Sequence, residues 1–581
     1  MKRLLFLSLA FALAFLFVAC DSGNTGDFKI SLKLPMDIEG VCGEFGLEDD
    51  EDEDAANDYT YCINKTDQIS LVIYSKQNVE DDYVYADRSL IPVDNNDKGK
   101  KEFIRSLKKG NYYSFFVEVT NKNETSKLTG GIDGIYYDDE KNYEVEIFLA
   151  PKGDFVRVVG DRTDVKSDFK SLKSYFDDNG SKGSVAVALK DGRIYMAGGY
   201  DMEEDEVVKK AVTFDMKSIS SSSAASLPKP LFDHVAALLD DKTETGKVVV
   251  GFGTSEDNEL NGSLWVYDPK SDKYSEILDV QAVTKARAIT IDGNVYVVGG
   301  CTGNGASNSV YRISSNDGKI SAEDFATLKV ARCNHAVADF STYNEEGEKT
   351  SSRLLVLGGS KDFSNEGNET IITGGDFAEI INLETGSSEL VAITDRNGQD
   401  DANLKESGLV APIATGILMD DSDTNEVVAT VSGGYLFDSE NNNMTRNPRF
   451  FVFSEAGDKL IYDANSAPTE YCSRPSAALL GSEEKSVIKY VAVNCGSDKI
   501  ERGKQDFKEQ KIFVLQVKRI KSSELNQEIF SASVKVTLME GNTDEESDGF
   551  MVDGPATVDA MGQVFMFGGK YVYQVGTYAI P

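Results

Sequence analysis

Between Lys285 and Ile313 apolar and polar residues alternate with a period of two. Ala286, Ala288 and Thr290 run into Asp292-Gly293, Val295 to Val298 run into Gly299-Gly300, and Val310 to Ile313 follow a polar loop. This period, broken by Asp-Gly and Gly-Gly, predicts short antiparallel strands. The paired glycines mark backbone that turns tightly or lies against a neighbour with no room for a Cβ. The pattern returns along everything after about residue 180. Glycine pairs or near-pairs stand at Gly198-Gly199, Gly251 and Gly253, Gly299-Gly300, Gly358-Gly359, Gly433-Gly434, Cys495-Gly496 and Gly568-Gly569, each behind an apolar run. Repetition on this scale predicts an array whose units bury their apolar faces only against neighbours.

The second repeat reads NGSLWVYDPKSDKYSEI and contains Asn261, Tyr267, Asp268 and Tyr274. A double glycine, an aromatic-rich third strand and a polar turn, in that order, resemble the Kelch repeat, with Tyr274 where that family usually carries tryptophan. The resemblance spans roughly residues 154–581. It implies four-stranded blades around an axis, seven by the count of glycine pairs, or six if one weak repeat is misread. A ring must seal its last blade with the other chain end, so Phe155 to Val159 are expected to supply the outer strand of the last blade. The glycine pair ends the second strand of each blade. Five polar inserts therefore share one face: 201–210, 254–262, 360–375, 435–448 and 496–510. Loops on a rigid scaffold are where binding specificity resides.

Ahead of the repeats, Phe28 to Leu34, Ile69 to Tyr74, Tyr112 to Val119 and Tyr143 to Leu149 alternate like strands of a half-buried sheet. Residues 28–151 are expected to form a β-sandwich, resembling immunoglobulin-like or transthyretin-like modules at Lys108-Lys109-Gly110-Asn111. Seven consecutive carboxylates from Glu48 to Asp54 must form a solvated loop, because like charges repel. The run lacks the ligand spacing of a calcium loop. Met1-Lys2-Arg3 and the apolar run Leu4 to Ala19 read as a signal peptide, residues 1–19, too short to span a bilayer comfortably. Phe17-Val18-Ala19-Cys20 resembles the bacterial lipoprotein box, which implies acylation of Cys20 and a flexible tether over residues 20–27. The expected order is thus signal, tether, sandwich, and a kelch-like propeller over residues 152–581, in an all-β chain.

Charge narrows the function. Sixty basic residues against 97 acidic ones give a net charge of −37, which repels nucleic acid. With Cys20 assigned to lipid, six cysteines remain, an even number compatible with disulfides in an exported protein. Blade geometry pairs Cys472 with Cys495 and Cys301 with Cys333, leaving Cys42 with Cys62 around the acidic run. No C-x-x-C pair suggests zinc. The only histidines, His234 and His335, occupy matching places in their repeats (DHVAAL and NHAVAD) and read as packing residues near the start of each first strand. The copper oxidases of kelch type use two histidines, two tyrosines and a tyrosine–cysteine crosslink, a set with no counterpart here. Catalytic residues, metal and cofactor are accordingly expected to be none. The reading is a lipid-anchored protein of the bacterial envelope whose propeller binds a protein or polysaccharide on the insert-rich face. A carbohydrate-active or oxidative enzyme in the funnel is the alternative.

Overall fold

Alternation becomes pairing in the central repeat: Arg287–Ile291, Asn294–Val298, Ser309–Asn316 and Lys319–Thr327 form one antiparallel meander. Val295, Val297, Val298, Val310 and Ile313 are buried in it, while the outermost strand alternates exposed and half-buried residues. The computed structural model describes residues 25–33, 63, 67–78, 83–91, 93, 100–121, 123, 126–138, 144–159, 181–201, 205–216, 220–362, 370–397, 404, 407–420, 425–438, 443–466, 472, 475–481, 487–495, 500–501, 504–505, 511–521, 528–539, 556–568 and 571–576. The expected lipidation site Cys20, the proposed Cys42–Cys62 pair, the acidic run and Gly569 lie outside them. The chain divides between Leu149 and Ala150 into two compact units.

The first unit holds two sheets. In one, Thr25–Lys33 lies between Lys100–Lys108, antiparallel to it, and Glu144–Phe148, parallel to it. In the other, Val84–Ile91, Gln68–Lys76, Tyr112–Thr120 and Ser126–Tyr136 follow one another as antiparallel neighbours. Val84–Ile91, Lys100–Lys108 and Ser126–Tyr136 had no counterpart among the expected strands, because exposed residues such as Val84, Tyr85 and Leu90 break the alternation of a half-buried sheet. Phe28 of the first sheet stacks on Phe115 of the second with ring centroids 5.3 Å apart, and Tyr137 meets Phe28 edge-on at 5.2 Å. Burying a side chain of this size contributes about 1.5–3 kcal/mol.

The second unit is a β-propeller. Among the described residues it contains seven four-stranded antiparallel meanders, numbered here as sheets in chain order. Their innermost strands are Val185–Ala188, Val235–Leu239, Arg287–Ile291, Ala336–Asp339, Ile413–Asp420, Ser476–Leu480 and Ala556–Ala560. Each touches the next, and the last touches the first, so the ring closes. Phe155–Val159 pairs antiparallel with Tyr571–Val575 as the fourth strand of the seventh sheet, the place expected for it. The fourth and fifth sheets are also joined at the rim, where Ser388–Asp395 and Lys459–Ser466 pair in parallel and make one eight-stranded sheet. That joint was not foreseen, since period-two patterning specifies which face a residue takes and not which edge its strand meets.

The glycine pairs have a steric cause, shown best at Gly299-Gly300, where φ is 57° and 118°. A Cβ on Gly299 would fall 2.4 Å from the Arg332 carbonyl oxygen, and one on Gly300 2.9 Å from the Val283 Cβ. Gly198-Gly199, Gly358-Gly359 and Gly433-Gly434 also have positive φ. Gly568 ends the strand Gln563–Gly568. The second glycine of a pair, or its equivalent, donates its N–H to the segment leading into the next sheet: Gly199 to Leu231 O, Gly253 to Val283 O, Gly300 to Arg332 O, Gly359 to Leu409 O and Gly434 to Cys472 O, at 2.7–3.0 Å. The glycines therefore form the seam between neighbouring sheets.

Candidate functional site

The residue just before the innermost strand's lead-in adopts left-handed backbone in five successive sheets: Gly183, Asp233, Lys285, Asn334 and Ala411, with φ between 50° and 65°. Each hands a hydrogen bond around the axis. Asp233 N–H donates to Gly183 O at 3.1 Å, Lys285 to Asp233 O at 3.1 Å, Asn334 to Lys285 O at 3.3 Å and Ala411 to Asn334 O at 2.7 Å. This arc frames a cavity of about 140 Å³ lined by Gly183, Asp233, Lys285, Arg287, Asn334 and Pro475, among others. Arg287 is fixed across it, donating from Nε to His335 O at 2.8 Å and from Nη2 to Pro412 O at 3.4 Å. Gly183 is required where it stands, because its φ is 65° and a Cβ there would lie 2.9 Å from the Asp233 backbone nitrogen.

His234 and His335 follow two of these left-handed residues and are buried, 7% and 0% exposed. Each ring lies against the first glycine of the preceding sheet's pair: a Cβ on Gly198 would be 2.5 Å from His234 Cε1, and one on Gly299 2.9 Å from His335 Cε1. Neither ring nitrogen of either histidine has a hydrogen-bond partner. Burial lowers the His234 pKa to about 4, against a weak opposing pull from Asp233. Burial also holds His335 well below the usual value, helped by the charges of Arg332 and Arg287. Both imidazoles are neutral and fill the seam.

Disulfides lie on the same seam. Cys301 is bonded to Cys333, and Cys472 to Cys495. The first joins the third sheet to the fourth. The second lies within the sixth sheet, and its cysteines stand just outside the strands Ser476–Leu480 and Ile488–Asn494 rather than inside the hairpin. One seam earlier, the residues equivalent to Cys301 and Cys333 are Thr254 and Thr284, whose hydroxyls hydrogen-bond at 3.0 Å. Replacing both by cysteine should therefore form a disulfide spontaneously in the folded chain, seen as a loss of two protons by mass. It should add about 2 kcal/mol of stability by closing a loop of roughly 30 residues, measured as a raised urea midpoint.

One seam position departs from the apolar rule. Where other sheets carry Leu231, Val283, Leu409 and Cys472, the fourth carries Arg332, and by strand register Glu379 stands where others have Val212, Trp265, Tyr311 and Phe451. Their side chains are fully buried and bridge at 3.0 Å. Arg332 also donates to the carbonyls of Gly358, Phe377 and Asp376, while Glu379 accepts from Lys329 N–H and the Ser388 hydroxyl.

The inserts rise on the cavity's face. They include small hairpins, Tyr200–Asp201 with Glu206–Val207, Cys301–Thr302 with Gly305–Ala306, Tyr435–Asp438 with Asn443–Arg446, and Ile500–Glu501 with Lys504–Gln505. Short 3-10 turns occur at Glu256–Asn258 and Gly374–Asp376. The turns of the opposite face instead tie neighbouring sheets by ion pairs: Lys190 with Asp240 at 2.9 Å, Lys349 with Asp292 at 2.6 Å and Lys489 with Asp420 at 2.5 Å. Among the described residues no group of three His, Cys, Asp or Glu side chains is placed to hold a metal ion. In the second repeat Asn261 donates to Ser263 O at 2.9 Å, and Tyr274 reaches back to the first sheet, donating to Ala225 O at 3.0 Å.

Sequence reading reached the histidines and missed the residues in front of them. The left-handed arc carried a signal nonetheless: Asp-His, Lys-Ala, Asn-His and Ala-Pro recur at one offset before the first strand, and Asp and Asn are residue types enriched at positive φ. Arg287 gave no signal, because an arginine opening a strand reads as an exposed edge residue.

No curated protein matches the chain. A solved structure described as that of YjhT is 10% identical, covering 60% of this chain and 94% of its own, with a TM-score of 0.36. The Kelch motif family model matches residues 285–319, the first three strands of the third sheet with their glycine pair, so this β-propeller carries a Kelch motif there.

Proposed function

We propose that the chain is an envelope protein, anchored through lipid at Cys20, whose propeller is a non-catalytic binding scaffold for a protein or polysaccharide. The observation that carries the reading is the asymmetry of the ring. One face carries short inter-sheet ion pairs and one extra hairpin, Thr342–Tyr343 with Lys349–Ser351, whereas the other bears four polar hairpins around an axial cavity. Extra hairpins on a rigid ring add exposed polar groups without adding core, which suits recognition over a broad surface.

Crosslinking mass spectrometry on intact envelopes of the source cell tests it. Lys361, half-exposed beside Asp376, and Lys504, on an insert hairpin, should crosslink reproducibly to one other protein. Where the partner is a polysaccharide, the same lysines should instead become protected from acylation by an envelope glycan fraction. Lysines that neither crosslink nor gain protection, while those of the first unit do, would overturn the assignment to this face.

A further inference from the structure

Tyrosines of the first unit fall into two kinds. Tyr113 and Tyr137 are buried and spend their hydroxyls on the fold, donating to Lys108 O at 2.8 Å and to Asp27 O at 3.3 Å. Tyr74, Tyr85, Tyr112 and Tyr136 spend theirs on nothing: among the described residues none of these four hydroxyls makes a hydrogen bond. Strand register puts all four on one face of the sheet. Tyr85 lies opposite Tyr74, Tyr112 lies opposite both Lys76 and Tyr136, and Tyr74 and Lys76 are two apart on one strand. The opposite face of the same strands carries the core residues Ile73, Tyr113 and Phe115. The four rings therefore stand on four successive strands, a row that crosses three strand spacings, roughly 14 Å. They meet in pairs, Tyr74 with Tyr85 at 6.3 Å between centroids and Tyr112 with Tyr136 at 4.9 Å. Tyr85 is 58% exposed and Tyr136 40%, so both ends of the row are open to solvent. A contiguous aromatic row left open adds little to stability and marks an interaction surface.

The chemistry of the row selects its occupant. A phenol ring offers a flat apolar face with a polar atom at its rim. That matches a pyranose ring, whose C–H groups lie on one face and whose hydroxyls project around the edge. A donor flanks the row on the same face: Arg88 gives Nε to Ser70 Oγ at 3.1 Å and is otherwise exposed. Charge then narrows the class of glycan, because a net charge of −37 repels polyanions and leaves an uncharged chain free to lie on the row. We propose that the outer face of this sheet binds an uncharged polysaccharide, its sugar rings stacked on the tyrosines that run from Tyr85 to Tyr136. This site lies in the first unit, goes beyond the propeller's recognition face and does not depend on it.

Native affinity electrophoresis of the full chain through gels containing hydroxyethylcellulose, glucomannan, arabinoxylan or dextran tests the assignment, with polygalacturonate as the charged control. At least one neutral polymer should retard the chain, and polygalacturonate should not. Tyr85→Ala and Tyr136→Ala should each weaken that retardation at least fivefold. Tyr85→Phe and Tyr136→Phe keep the ring and should retain it. All four variants should melt as the parent does, since no hydroxyl they remove bonds to the fold. The proposal falls if no neutral polymer retards the chain, if polygalacturonate retards it more, or if phenylalanine loses the retardation as alanine does. It falls also if retardation survives the two alanine substitutions together, which would assign it to the propeller. Alanine variants that instead lose a first-unit crosslink to another protein, with no polymer bound by the parent, would make the row a protein interface and overturn the proposal as well. Loss of crosslinks or protection at Lys361 and Lys504 with retardation intact would count only against the propeller's face.

Discussion

Arg332→Leu should lower the stability of the propeller by about 3–5 kcal/mol, the range for stripping one partner from a buried ion pair. Leucine itself is not the problem, since Leu231 and Leu409 occupy the same seam position in other sheets. The loss arises because Glu379, fully buried beside Arg332, is left with an uncompensated charge and the carbonyls of Gly358, Phe377 and Asp376 lose their donor. A second substitution separates these causes. Arg332→Leu with Glu379→Phe recreates the Leu409 and Phe451 pairing of the fifth sheet and should recover at least half of the loss. Urea midpoints of the parent, both single variants and the double variant would check it. Additive losses would show that the ion pair is not the coupled unit described here.

Acidification should destabilise the propeller between pH 6.5 and about 4, most of the loss falling above the range in which Asp240 and Asp292 take up protons. An unfolded imidazole takes up a proton as the pH falls through 6.5, whereas folded His234 does so only near 4. Proton uptake across that window therefore favours the unfolded chain. The stability His234 contributes is complete above pH 6.5 and gone below about 4, a loss of about 3 kcal/mol for its shift at 1.36 kcal/mol per pH unit. His335 shifts in the same direction and adds to the slope. Carboxylates on the opposite face do not mask this. Burial pushes Asp240 and Asp292 up, but hydrogen bonds and charge from Lys190 and Lys349 outweigh it and leave both below the ordinary 3.8. Their contribution is lost only at lower pH. Substituting alanine for both histidines, as the third sheet has at Ala286, should weaken the protein at pH 7 and flatten its profile of urea midpoint against pH from 6.5 to 4. An unchanged slope would contradict the burial of neutral rings.

Much of this fold was legible because its signals are local. Alternation and glycine pairs located the strand meanders, and the spare strand at Phe155 to Val159 followed from the need to seal an edge. The two described disulfides were reachable because cysteines at seam positions have few partners within range. The parallel joint between Ser388–Asp395 and Lys459–Ser466 was not legible, since main-chain pairing at a rim leaves no mark on residue type. The Arg332–Glu379 pair was hidden differently: each residue alone reads as a surface charge, and only the register of the strands shows that both occupy positions apolar elsewhere. The axial site was half legible, its histidines standing out and the left-handed residues before them passing for ordinary loop.

Closure by Phe155–Val159 also sets a schedule for making the protein. That segment precedes its partner Tyr571–Val575 by roughly 400 residues of chain, so it cannot pair until the far end of the chain is available. Throughout that interval a strand rich in β-branched residues stands without its ladder, and every completed sheet belongs to an arc with open ends. The folding chain is thus most prone to pairing with a second copy of itself before its two ends meet, and that exposure ends when Phe155–Val159 joins the last sheet.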